Sequence, residues 1–147
     1  MTVGSAGTAG ELAAAQASLR NRWTDFRRAF ERRDGEAYRV ALQDFDRNLR
    51  AWTVAEQDCL VPALARSPSS QRELRVELVQ IRELTRFLLE QVGTHSPLAD
   101  VLGLIENLDR RLTAHENELL NQYYPAAIGS LTEDDWKRLR EAAPREG

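Results

Sequence analysis

The chain has 147 residues, 42% of them hydrophobic and 29% charged, and its 20 basic and 23 acidic residues leave a net charge of −3. That is the balance of one soluble globular domain with a buried core rather than of a disordered segment. It excludes the basic excess of a nucleic-acid binder, and no apolar run is long enough to span a membrane.

Residues 1–9 carry no charge and are rich in Gly, Ser, Thr and Ala, so they are read as a flexible lead-in without the charged head and apolar stretch of a secretory signal. Residues 10–142 form the expected folded unit and 143–147 a C-terminal tail. The first helix is expected from about Glu11 to Arg33, with Leu12, Leu19, Trp23, Phe26 and Phe30 on one stripe, and Asp34-Gly35 breaks it. The second runs from about Glu36 to Leu64 and aligns Tyr38, Leu42, Phe45, Leu49, Trp52 and Cys59, with Pro62 in its last turn. Ser67-Pro68-Ser69-Ser70 ends it. The third, Gln71 to Val92, aligns Leu74, Leu78, Ile81, Leu84 and Leu88. His95 falls in the following loop, and Ser96-Pro97 reads as a cap with proline at the first helical position. The fourth carries Leu98, Val101, Ile105, Leu108, Leu112, His115 and Leu119, and ends near Tyr123-Tyr124-Pro125. A short last helix starts at Thr132, with Asp135 three residues on as an imperfect capping box, and presents Trp136 and Leu139. No segment alternates with period two. The expected fold is all-α, an up-down-up-down four-helix bundle with a short fifth helix capping one end.

Polar residues interrupt these stripes. Gln16 lies between Leu12 and Leu19, Glu56 between Trp52 and Cys59, and His115 between Leu112 and Leu119, while Gln80 stands one step off the line of Leu84. An unpaired buried carboxylate is costly, so Glu56 must be paired, metal-bound, protonated or near water. At about 1.5 Å of rise per residue, Gln16, Trp52/Glu56, Gln80 and His115 stand at similar heights, one polar layer drawn from four helices. The halves also repeat: Gln16/Gln80 and Trp23/Phe87 are 64 apart, and Trp52/His115 and Pro62/Pro125 are 63 apart. Two helical hairpins related by a pseudo-twofold axis would give that offset. Cys59, the single cysteine, excludes an internal disulfide, fits a reducing cytoplasm, and on a core stripe reads as a buried inert thiol. Tyr123 and Tyr124 are expected to pack the end of the bundle under Trp136. No nucleophile–base set, glycine-rich phosphate loop or zinc spacing is present, so an enzyme working through side chains alone is not expected.

The segments Phe45-Asp46-Arg47-Asn48-Leu49-Arg50-Ala51-Trp52-Thr53-Val54-Ala55-Glu56, Leu60-Val61-Pro62-Ala63-Leu64, Leu112-Thr113-Ala114-His115-Glu116-Asn117-Glu118-Leu119 and Leu131-Thr132-Glu133-Asp134-Asp135-Trp136 resemble the haemerythrin-like (HHE cation-binding) family over roughly residues 11–141. The resemblance implies a four-helix bundle built around a carboxylate-bridged di-iron centre that serves oxygen, nitric oxide or metal handling. The family's ligands are a His on helix one, His-x-x-x-Glu on helix two, a His on helix three, and His-x-x-x-Glu or His-x-x-x-His on helix four. Matched by position, the chain has Gln16, Trp52 with Glu56, Gln80, and His115 with Leu119, so only Glu56 and His115 keep ligating side chains. The resemblance therefore implies the fold with a degenerate metal site: a non-catalytic binding or regulatory module without cofactor, its vacated pocket lined by Gln16, Trp52, Gln80 and Leu119. The alternative is a residual site for one iron, manganese or zinc ion on Glu56 and His115, with Glu118 in reach. The expected partner is a small ligand or another protein, not nucleic acid or membrane, and the expected state is a monomer or homodimer.

Overall fold

The computed structural model describes residues 7–94 and 96–145. His95 and residues 1–6 of the expected lead-in lie outside the described residues. The described chain is all-α, with no strand. Four long helices are α1 (Ala9–Glu31), α2 (Gly35–Ala63), α3 (Pro68–Gly93) and α4 (Leu98–Glu118). A π-helical turn (Leu119–Tyr123) leads into α5 (Tyr124–Ala127), a 3-10 turn (Ile128–Ser130) and α6 (Glu133–Ala142). Among the described residues, no helix is long and apolar enough to cross a membrane.

Local chemistry sets the boundaries. The side chains of Thr8, Asp34 and Ser67 accept the backbone N–H of Glu11, Ala37 and Ser70, capping α1, α2 and α3. Ser67-Pro68 thus opens α3 as well as closing the turn before it, three residues ahead of the expected start, because Pro68 takes a first-turn place where no N–H is needed. Ser96-Pro97 departs from expectation. Pro97 itself is the N-cap, and the Ser96 hydroxyl instead donates to Gln91 Oε1 at 2.7 Å. Thr132 and Asp135 form a complete reciprocal capping box, since an aspartate is long enough to reach the Thr132 N–H at 3.0 Å.

Most of the expected stripes form the core, but Tyr38, Leu84 and Leu112 are only half-buried and Leu98, in the first turn of α4, is 50% exposed. Leu12, Leu19, Trp23, Phe26 and Phe30 of α1, Leu42, Phe45, Leu49 and Trp52 of α2, Leu74, Leu78, Ile81 and Leu88 of α3, and Val101, Ile105 and Leu108 of α4 are all buried. Trp136 and Leu139 of α6 are buried against this core, α6 packing on α2. Gly7 lies so close to the Trp136 ring that a methyl group there would overlap it. Of the 64-residue offset, the Trp23/Phe87 pair is not equivalent in burial, because Trp23 is 4% exposed and Phe87 46%.

Packing follows chain order: α1 on α2, α2 on α3, α3 on α4. The pair that would close the ring, α1 and α4, makes almost no close backbone approach. Polar side chains bridge that seam instead. Arg20 pairs with Glu116 at 2.7 Å and Arg27 with Asp109 at 3.2 Å, and the Trp23 indole donates to Asp109 Oδ1 at 2.8 Å.

Candidate functional site: a buried polar chain beside an open seam

Glu56 is wholly buried in the C-terminal third of α2. The Tyr124 hydroxyl donates to its Oε2 at 2.7 Å, and Gln16 Nε2 donates to the Tyr124 oxygen at 3.0 Å. Burial pushes the Glu56 carboxyl up to about 7 against the opposing pull of His115, the Tyr124 hydrogen bond and Arg82, with Glu77 adding a small push upward. Burial, and the carboxylate it serves, hold the Tyr124 phenol well above its ordinary value, so it remains a donor. The Trp52 indole N–H lies near that hydroxyl and favours its ionised form. It falls short of hydrogen-bond geometry and has no partner.

His115 is buried on α4, and its Nδ1 sits 2.6 Å from Glu77 Oε1 on α3. The Glu77 carboxyl is held below its ordinary value, where the hydrogen bond from His115 outweighs a larger opposing effect of burial with help from the His115 charge, Glu118 and Arg111. Glu118 shares a hydrogen bond with Glu77, which raises its own carboxyl. The site is therefore two chains that come close without joining: Gln16–Tyr124–Glu56, and Glu118–Glu77–His115. Glu56 Oε1 and His115 Nε2 are both buried without a partner.

Of the residues picked from the stripes, Gln16, Glu56 and Trp52 gather at Tyr124, with His115 in electrostatic reach of Glu56. Gln80 does not join them. It is exposed and accepts a hydrogen bond from Arg111 at 3.1 Å. Glu77, nearly one turn earlier, supplies the α3 contribution because it faces His115 across α3 and α4. Leu119 is fully buried in the π turn. Cys59 behaves as read: it is buried, its Sγ lies 3.8 Å from the Asp135 carbonyl, and desolvation pushes its thiol up to about 11.

Tyr124 is the residue missed. Nine residues after His115, an unbroken α-helix would place it about 180° away, at about 100° per residue. The π turn takes up about one residue's rotation, roughly 100° of that offset. The Tyr124 N–H bonds to the Leu119 carbonyl, a wider step than an α-helix makes. Pro125 has no N–H to continue the α pattern, which makes a change of register here inexpensive. The extra residue per turn rotates Tyr124 inward, where it is 1% exposed. We expect Tyr124→Phe to leave both the Glu56 carboxyl and the Gln16 amide short of a partner, at a cost of about 2–4 kcal/mol. Urea unfolding checks this, and a loss under about 0.5 kcal/mol would show the chain to be energetically idle.

A cavity of about 420 Å³ opens along the α1–α4 seam. Its buried lining is apolar (Leu19, Trp23, Phe45, Leu49) except for Gln16, Thr53 and His115. The seam ion pairs Arg20–Glu116 and Arg27–Asp109 stand at its rim. Trp52 and Leu119, expected to line a pocket, are buried and do not line it.

The residues do not fit the di-iron group that the family resemblance implies. Trp52 fills a ligand position with an indole, the Gln16 amide is committed to Tyr124, and one nitrogen of His115 to Glu77. Two cations need several imidazoles and carboxylates, and only Glu56 Oε1 and His115 Nε2 are left over. Among the described residues, no group of three or more His, Cys, Asp or Glu side chains is placed to hold a metal ion. Comparison with protein-family models, curated proteins and solved structures finds no match for the chain.

Proposed function

We propose that the chain is a haemerythrin-like up-down-up-down bundle, its di-metal site degenerate, that acts as a non-catalytic binding module for a small, largely apolar ligand held in the α1–α4 cavity. Short connections between long helices packed in chain order support the antiparallel arrangement. The observation that carries the binding reading is the cavity itself. About 420 Å³ of mainly apolar space, with the side chains of Gln16, Thr53 and His115 in its wall, opens at the seam where α1 and α4 do not close. Binding pockets combine these features, an apolar wall with one or two polar groups that fix orientation. Naphthalene is a suitable neutral probe. It is expected to bind at a stoichiometry of one by calorimetry, and Leu49→Trp, which fills the cavity from α2, should abolish binding. Failure of naphthalene and of hydroxylated analogues to bind, or binding unchanged by Leu49→Trp, would remove this reading.

The two unpartnered atoms, Glu56 Oε1 and His115 Nε2, favour a second reading, one iron, manganese or zinc ion with water completing its shell. Elemental analysis of protein purified without chelator separates the two. The binding-module reading expects no stoichiometric metal even after reconstitution with ferrous iron. Near-stoichiometric metal that disappears in His115→Ala would establish the second.

A further inference from the structure

Three polar contacts carry the α1–α4 seam across the rim of the cavity. Arg20 reaches Glu116, and Asp109 Oδ1 receives both the Trp23 indole N–H at 2.8 Å and the Arg27 guanidinium at 3.2 Å. All five residues line the cavity. The seams α1–α2, α2–α3 and α3–α4 close instead by approach of the helix backbones.

The hold on α1 is uneven along its length. Its N-terminal half is fixed from another side, by the Gln16–Tyr124 hydrogen bond and the Glu11–Arg140 ion pair with α6. Past Trp23, Arg27–Asp109 is the last hydrogen bond or ion pair from α1 to α4 among the described residues. Its two side chains are 37% and 35% exposed, and an ion pair so open to water is worth at most about fivefold in an equilibrium. A seam held so weakly parts within the native state, whereas the Trp52 indole, 1% exposed in the core, is freed only when the core itself is lost.

Resting on the binding reading above, we infer that the Arg27 end of the seam is the entrance to the cavity and that Asp109 is its latch, a positioning residue that holds the Trp23 ring and the Arg27 side chain across the opening. Trp23 both walls the cavity and donates to the latch, so its indole N–H reports the opening. That proton is shielded while bound to Asp109 and exchanges with water when the seam parts.

The test follows two rates by nuclear magnetic resonance on the full chain: exchange of the indole N–H protons with water, and exchange of 1-fluoronaphthalene between free and bound states. In Arg27→Gln, which keeps Asp109 as the acceptor for Trp23, the Trp23 N–H is expected to exchange about threefold faster or more while the Trp52 N–H is unchanged. A general loss of stability would speed both. 1-Fluoronaphthalene should enter and leave faster by the same factor, so its Kd stays within about twofold of the wild-type value. Arg20→Gln, at the fixed end of α1, should leave both rates close to wild type. Raising salt to about 1 M should speed Trp23 exchange in the wild type and have little effect in Arg27→Gln. Trp23 exchange that responds neither to Arg27→Gln nor to salt overturns the latch and leaves the cavity reading standing. Faster Trp23 exchange with unchanged ligand exchange places the entrance elsewhere and overturns the inference too. If 1-fluoronaphthalene does not bind, the cavity reading falls and the entrance with it. The salt comparison on the wild-type chain is decisive even where Arg27→Gln does not fold.

Discussion

Stability is expected to fall as pH rises from about 4.5 to about 7, and Glu56→Gln is expected to abolish that fall. Burial raises the Glu56 carboxyl from 4.5 to about 7 in the folded chain. Between those values the native state binds the proton more firmly than the unfolded state, so each step up in pH favours unfolding. The contribution is fully present below 4.5 and lost above about 7. At about 1.4 kcal/mol for each pH unit, the rise amounts to about 3 kcal/mol. A glutamine keeps the shape and an oxygen for the Tyr124 hydroxyl but carries no charge. The variant should therefore match the wild type near pH 4.5 and exceed it by about 3 kcal/mol at pH 8. Glu77, whose carboxyl is held low, works in the opposite sense and below 4.5, where its stabilisation is lost as pH falls. It is common to both proteins and cancels in the difference. Urea titrations of the two proteins from pH 4 to 9 check this. Parallel profiles would mean that Glu56 is not held neutral by its surroundings.

The second large effect is expected at Trp52. It heads the fully buried side chains by size, and Trp52→Ala should cost about 3–5 kcal/mol through lost apolar burial and the cavity left behind. Against a total stability of about 5–15 kcal/mol, that is a large share. Trp52→Phe should cost much less, because the indole N–H has no partner to lose. The space vacated in Trp52→Ala adjoins the Tyr124 hydroxyl, so water gains a route to the Glu56 carboxyl. The variant should thus lose stability and, at the same time, most of the pH dependence described for the wild type. A cost under about 1 kcal/mol, or an undiminished pH dependence, would count against this account of the core.

Helical periodicity was sufficient to place most of the architecture. The stripes of Leu12–Phe30, Leu42–Trp52, Leu74–Leu88 and Val101–Leu108 are the core, and the polar interruptions Gln16, Glu56 and His115 are buried as their positions on those stripes require. Gln80 failed because a residue one step off a stripe is decided by the neighbouring helix. There Arg111 draws the amide outward and the position facing His115 falls to Glu77. Glu77 stands next to Leu78 on the flank of α3, and a flanking acid is ordinarily a solvated one, so its sequence context carried little signal. Tyr124 was hidden for a geometric reason, since a period of 3.6 residues cannot anticipate a turn of different width. The adjacent Pro125 was the available hint. The cavity was not readable at all, because an open seam depends on how closely α1 and α4 approach, and neither helix states that in its own pattern.

The π turn divides the helical stretch from Leu98 to Ala127 into two phases. Residues up to Glu118 are phased so that His115 meets Glu77, and those from Tyr124 onward so that a phenol meets Glu56. Each phase serves one of the two polar chains, and the widened turn is the joint that lets one continuous rod address both. A relative with an uninterrupted fourth helix would align with this chain in one frame before Leu119 and in another, offset by a single residue, after Tyr123. Position-by-position transfer of ligand residues across that joint would then compare side chains that point in different directions.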